Sequence, residues 1–237
     1  MALTELENVV LDYPVASPEQ LNFKRALVDR LRGRSSAPPV IRAIDHVSIR
    51  LEPGSRVGLY GPNGSGKSSL LRLMAGIYPP SDGRITREGR CTSLLGLGLG
   101  ANIELSAHDN IELLLRFEGV QPTPQMIEQI WRFTELDRKF LHLSLRHFST
   151  GMTMRLFFAI STAPHPEILL MDEWLSVVDE NFVSKAEERL RSYVGKASIF
   201  VIASHNLWLL RELCERIVFL DGGKVASIET VVPPTSA

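Results

Sequence analysis

The stretch "RVGLYGPNGSGKSSLLRLMAGI", residues 56–77, sets an apolar strand, a glycine-rich loop and an amphipathic helix end to end. Residues 56–60 read as a short buried strand, and the helix that follows the loop runs out at Gly76, ahead of Pro79-Pro80. Between them Gly61-Pro62-Asn63-Gly64-Ser65-Gly66-Lys67-Ser68 keeps the spacing G-x-x-x-x-G-K-[ST]. Glycines let backbone N–H groups turn inward around an anion, and the helix N-terminus adds the positive end of its dipole. In this pattern Lys67 reaches the β- and γ-phosphates, Ser68 places its hydroxyl on Mg²⁺, and Ser69 reaches the α-phosphate. A strand, loop and helix so joined require an α/β fold and imply a nucleoside triphosphate such as ATP as ligand.

A phosphate loop needs an acidic partner at the end of a neighbouring buried strand. "EILLM" at 167–171 supplies the apolar run, and Asp172-Glu173 follows at its carboxyl end, where ligands of open α/β sheets sit. Asp172 suits Mg²⁺, and Glu173 is placed to polarise an attacking water. Further strands read at 198–203 and 216–220, and His205 in "IASHN" stands just past the first of them, in reach of a γ-phosphate and of Glu173. Residues 4–13 and 43–51 read as strands of a β-rich N-terminal layer, and 106–145 reads as mostly helical, with one helix entered through Thr123. "DGGKVASIETVV" reads as a hairpin, and the last five residues as a frayed tail. The segment "LGLGLG" at 95–100 is a low-complexity patch.

The 26 Lys and Arg against 27 Asp and Glu leave a net charge of -1, which removes the global electrostatic case for nucleic acid as principal partner. Cys91 and Cys214 are far apart without metal-type spacing, as expected of reduced thiols with no assigned role. The N-terminus lacks the pattern of a secretory signal, and no apolar run approaches the roughly 18 residues of a membrane span. These features predict a cytosolic chain.

"HFSTGMTMR", from His147 to Arg155, places Ser149 and Gly151 at the start of an amphipathic helix. Together with the phosphate loop, Asp172-Glu173 and His205, this stretch makes the whole chain resemble the ATP-binding cassette ATPases. The resemblance implies a mixed central sheet, an antiparallel N-terminal β-subdomain and an inserted helical subdomain. It also implies that Ser149, Gly151 and Met152, where the family more often reads LSGGQ, bind the γ-phosphate held by another subunit. Two ATP molecules would then lie at the interface of a head-to-tail homodimer. Tyr13 resembles the aromatic that stacks on adenine, and Asp179 the loop aspartate that touches the partner. The glutamine that the family carries near 95–100 is absent here, so its share of the Mg²⁺ shell must fall to water or another group.

The Ser-x-Gly-Met signature, the loop without glutamine and "DEWLSVVDENFVSKAEERL" resemble the ATPase subunits of polysaccharide, O-antigen and teichoic acid exporters. That implies a separate transmembrane permease, a lipid-linked polysaccharide cargo and a peripheral position on the cytoplasmic face of the membrane. Within one domain, 1–100 and 160–237 would form the ATP-binding core and 101–159 the helical signature subdomain. An inserted segment, 17–34, reads as a basic amphipathic helix opened by Ser17-Pro18, suited to a membrane interface. Too few residues follow Lys224 for the carbohydrate-binding domain that some such exporters carry. A transporter of another lipid or a small solute, and a P-loop ATPase without a transport partner, are the competing readings.

Overall fold

The computed structural model describes residues 2–15, 40–173 and 180–231. Among the described residues nine strands and six helices follow in chain order: β1 (Leu3–Pro14), β2 (Val40–Leu51), β3 (Arg56–Tyr60), α1 (Lys67–Ala75), β4 (Asp82–Glu88) and β5 (Cys91–Leu94). Then come α2 (Ala107–Phe117), α3 (Pro124–Thr134), α4 (Thr150–Ser161), β6 (Ile168–Asp172), α5 (Glu180–Lys196), β7 (Ile199–Ala203), α6 (Leu207–Leu213), β8 (Arg216–Asp221) and β9 (Lys224–Thr230). The expected inserted helix at 17–34, Asp179 and the C-terminal tail lie outside the described residues.

The strands form two sheets: an antiparallel one ordered β2-β1-β4 and a six-stranded one ordered β5-β6-β7-β3-β8-β9. In the larger sheet β5, β6, β7, β3 and β8 run parallel, and β9 returns antiparallel from β8. Gly222 and Gly223 make that return, with φ of 52° and 80°, the left-handed pair that a tight hairpin needs. The inner strands β6, β7 and β3 are buried on both faces, and their side chains divide with period two. Ile168, Leu170, Val201 and Val57 join a core with α1 and the antiparallel sheet, while Leu169, Met171, Phe200 and Ile202 join a second core with α5 and α6. A third core binds α2, α3 and α4 through Ile111, Leu115, Trp131, Leu156 and Ile160.

The mixed sheet, the antiparallel layer and the helical insertion match the expected architecture. Two strands escaped the sequence reading, β4 and β5. The first is almost wholly exposed along its length, and the second has four residues at the sheet edge, so neither shows an apolar period. The expected helical run to residue 145 is also shorter: α3 ends at Thr134, and two 3-10 turns, Arg138–Phe140 and Leu145–His147, carry the chain onward. Asn110, fully buried, pins the turn before α2 by accepting from the Asn102 N–H and donating to the carbonyls of Asn102, Leu105 and Ser106. Burial raises both thiols, Cys214 to about 12 and Cys91 to about 11, so each stays protonated and behaves as a small apolar side chain.

Candidate active site

Three adjacent strands finish on one edge of the large sheet. Asp172 of β6 pairs with Ala203 of β7, which pairs with Leu59 of β3. One or two residues beyond these positions lie Glu173, Ser204-His205 and the loop 61–66, which local parallel pairing therefore gathers from distant parts of the sequence.

The loop is pressed into place by close backbone contacts. A Cβ on Gly66 would stand 2.6 Å from the Ala43 carbonyl oxygen, and one on Gly61 would stand 2.2 Å from that of Leu220. Gly64 and Gly66 take φ of 81° and 102°, where a side chain is strained. The Ser65 carbonyl accepts from the Gly223 N–H at 3.1 Å, and the Gly223 carbonyl accepts from the Asp45 N–H at 2.9 Å, which ties the loop to the hairpin turn and to β2. The N-cap of α1 is Gly66, which has no side chain to offer the first amides, and its first turn holds no acidic residue. Those amides and the dipole end thus remain available to an anion. Lys67 folds back over the loop, its Nζ donating to the carbonyls of Gly61 and Pro62 at 2.7 and 3.0 Å. Pro62 and Asn63 form the exposed tip, and Ser68 and Ser69 sit half-buried in the first turn. The Tyr13 hydroxyl lies 3.2 Å from Ser69 Oγ, and its ring stands edge-on to Tyr78.

Glu173 adopts φ 67°, a left-handed conformation that glutamate seldom takes. Its N–H donates to the Ala203 carbonyl at 2.9 Å. Its carboxylate is held on both oxygens: Oε2 by Ser204 Oγ at 3.2 Å, and Oε1 by the His205 N–H at 3.3 Å and His205 Nδ1 at 2.9 Å. An ionised carboxylate only accepts, so Nδ1 carries the proton in that contact and Nε2 is left for another partner. The Glu173 side chain is 35% exposed and that of His205 79%, so the pair faces open solvent where a ligand can arrive.

Ser149 caps α4. Its Oγ accepts from the Met152 N–H at 3.2 Å, and its carbonyl accepts from the N–H and the hydroxyl of Thr153, both at 3.0 Å. Gly151 and Met152 form the first turn above it. These hydrogen bonds stay inside one helix, whereas the loop 61–69, Asp172, Glu173 and His205 share the sheet edge. Sequence reasoning missed Ser204, whose only signal was a small hydroxyl residue ahead of His205, and Gly223, whose glycine pair was read only as a turn. Where the family's glutamine was sought, the loop 95–100 packs on α4, and a Cβ on Gly98 would meet the Phe157 ring at 2.2 Å.

The donors beside the loop, a serine hydroxyl and an aspartate carboxylate, are hard oxygens that suit Mg²⁺, a cation that keeps several waters and needs few protein ligands. Glycine loop, open helix end, strand-end acids and histidine together define a P-loop nucleoside triphosphatase. The family model described as ABC transporter matches residues 44–176. The chain is 42% identical to the O-antigen export system ATP-binding protein RfbE of Yersinia enterocolitica, across 92% of this chain and 94% of that one. It is 34% identical to the O-antigen export system ATP-binding protein RfbB of Myxococcus xanthus, covering 89% of this chain and 49% of the relative, and 31% identical to the teichoic acids export ATP-binding protein TagH of Staphylococcus epidermidis, covering 98% and 87%. A dimeric post-hydrolysis state of the ATP-binding cassette MJ0796, bound to ADP and Pi, superposes with a TM-score of 0.70 at 21% identity over 98% of this chain and all of that one. The chain belongs to the ABC transporter family and is an ATPase of the ATP-binding cassette type.

Proposed function

We propose that this chain is the ATP-hydrolysing subunit of an exporter that moves a lipid-linked polysaccharide, of the O-antigen, capsule or teichoic acid type, across the cytoplasmic membrane. The export names of relatives that align along most of this chain support the cargo class. Among the described residues no helix is long and apolar enough to cross a membrane, which fits a peripheral subunit docked on a separate permease at the cytoplasmic face. The separate apolar core of α2, α3 and α4 supports reading 101–159 as the signature subdomain and 1–100 with 160–237 as the ATP-binding core.

The observation that carries the chemistry is the Glu173 carboxylate, clamped by Ser204 and His205 beside the phosphate loop. Gly61, Gly64, Gly66 and the amides of α1 cradle the phosphates, and Lys67 exchanges its loop carbonyls for phosphate oxygens. Tyr13 offers its ring to the adenine. Ser68 and Asp172 would hold Mg²⁺, which supplies charge neutralisation at the β- and γ-phosphates. Glu173 orients the attacking water and takes its proton, and the His205 ring turns from the carboxylate to donate its N–H to a γ-phosphate oxygen. The other face of the nucleotide is closed by Ser149, Gly151 and Met152 of a second copy in a homodimer with two interfacial ATP sites, and Asp179 joins that interface.

The test is Glu173→Gln. ATP binding should persist while turnover falls by about a hundredfold or more, the scale of losing a positioned base, and the ATP-bound chain should accumulate as a dimer in size-exclusion chromatography. Turnover near wild type would remove Glu173 from this role. For the cargo, ATPase of the permease complex in proteoliposomes should rise with a polyprenyl-linked glycan and not with a soluble sugar.

A further inference from the structure

Three successive residues at the end of β7 hold Glu173, and of these only His205 belongs to the residues already assigned. Ala203 takes the Glu173 N–H, while Ser204 takes carboxylate Oε2. Ser204 is 1% exposed, and its own N–H donates to the Leu59 carbonyl at 3.1 Å, fixing it to the strand that feeds the phosphate loop. Its Oγ also receives the Asn206 N–H at 3.1 Å. A backbone N–H can only donate, so the oxygen is the acceptor in that bond, and the Ser204 hydrogen is directed to the carboxylate. The two carboxylate oxygens are therefore held differently: Oε1 by the His205 backbone N–H and an exposed imidazole that is open to a ligand, Oε2 by a buried hydroxyl that has nowhere else to turn.

We propose that Ser204 is a positioning residue for hydrolysis, keeping the Glu173 carboxylate aimed at the attacking water while His205 moves to the nucleotide. The claim rests on the reading of Glu173 as the base. Ser204 itself makes no contact with ATP; it acts through the one carboxylate oxygen that His205 leaves untouched. The bond to the Ala203 carbonyl fixes the Glu173 main chain, and the Ser204 hydroxyl fixes the orientation of its carboxylate.

The experiment uses the full chain with Ser204→Ala, Ser204→Cys and Ser204→Thr, alone and combined with Glu173→Gln, measuring steady-state ATPase and equilibrium binding of a fluorescent ATP analogue. Ser204→Ala and Ser204→Cys should lower kcat about tenfold, the scale of one hydrogen bond to a charged group. KM and analogue affinity should stay within about twofold, since only an interaction made in the transition state is lost. Ser204→Thr, which keeps the hydroxyl, should restore most of kcat. On the Glu173→Gln background Ser204→Ala should change the residual turnover little, because the pair acts as a unit. Wild-type kcat in Ser204→Ala, no advantage of threonine over alanine, or an undiminished effect on the Glu173→Gln background would each overturn the proposal. Normal turnover in Glu173→Gln alone would remove the base and its positioning residue together, whereas a slow Glu173→Gln beside an unaffected Ser204→Ala removes only the latter.

Discussion

The two helix ends assigned to the nucleotide, those of α1 and α4, treat the same problem in opposite ways. Every helix begins with amides that lack a partner within it. At α4 the Ser149 hydroxyl satisfies one of them, as Ser106, Thr123 and Asn206 do for α2, α3 and α6. At α1 the cap is glycine in a left-handed conformation. The α1 end is thus built incomplete and gains most from an anion, while the α4 end is self-sufficient and has a hydroxyl hydrogen to spare. Under the proposed function the difference predicts an order of events: nucleotide should settle on α1 of one chain first, and α4 of a second chain should close over it afterwards.

The sharpest way to break this contrast is to fill the open end. Gly66→Ala puts a Cβ against the Ala43 carbonyl at a positive φ, so it should cost about 3 kcal/mol of stability and abolish nucleotide binding, read by thermal melting and by fluorescent ATP titration. Gly64→Ala, also at positive φ but with nothing within 4 Å of the added carbon, should cost about 1 kcal/mol. Equal losses at the two positions would mean that close packing does not set the loop.

Next in size is the assignment of the two ends to different chains. Lys67→Ala and Ser149→Arg should each be inactive alone. Mixed in equal amounts, they form heterodimers with one site carrying both defects and one carrying neither, so ATPase should recover to about a quarter of wild type under random pairing. No recovery at any ratio would place both ends in one chain's site or require both sites to work together.

The smallest effect separates capping from ligand binding. Ser149→Ala and Thr123→Ala each remove a cap and should each lower stability by about 1 kcal/mol in denaturant titrations. Only Ser149→Ala should also slow ATPase. A matching loss of activity in Thr123→Ala would reduce Ser149 to a structural cap.

Much of this was written locally. The strand at 56–60 and the helix ending at Gly76 stand where the apolar period and the glycines place them, because the loop needs both to work. Thr123 and Ser149 likewise announced α3 and α4. What stayed illegible depends on neighbours distant in sequence. The strand β4 has polar residues because it lies at the edge of the smaller sheet, and edges need no apolar period. The grip of Ser204 on Glu173 spans 31 residues and exists only because β6 and β7 pair in one register. The φ of Glu173 carries no sequence mark at all, since glycine or asparagine is what such a position would ordinarily display.

That backbone angle has an evolutionary consequence. Holding a glutamate at φ 67° costs about 1 kcal/mol or more relative to a residue at ease there. Glycine at position 173 would take the conformation freely, but it would also strip the buried Ser204 hydroxyl of its acceptor, so relief of the strain needs a change at both positions. A library varying both positions and ranked by melting temperature should therefore favour Glu173→Gly together with Ser204→Ala, and the same library ranked by growth that depends on the transporter should eliminate that pair. Stability-guided redesign of this chain would erase its chemistry at that position first, and the gap between the two rankings would measure what the organism forgoes in robustness to keep a carboxylate there.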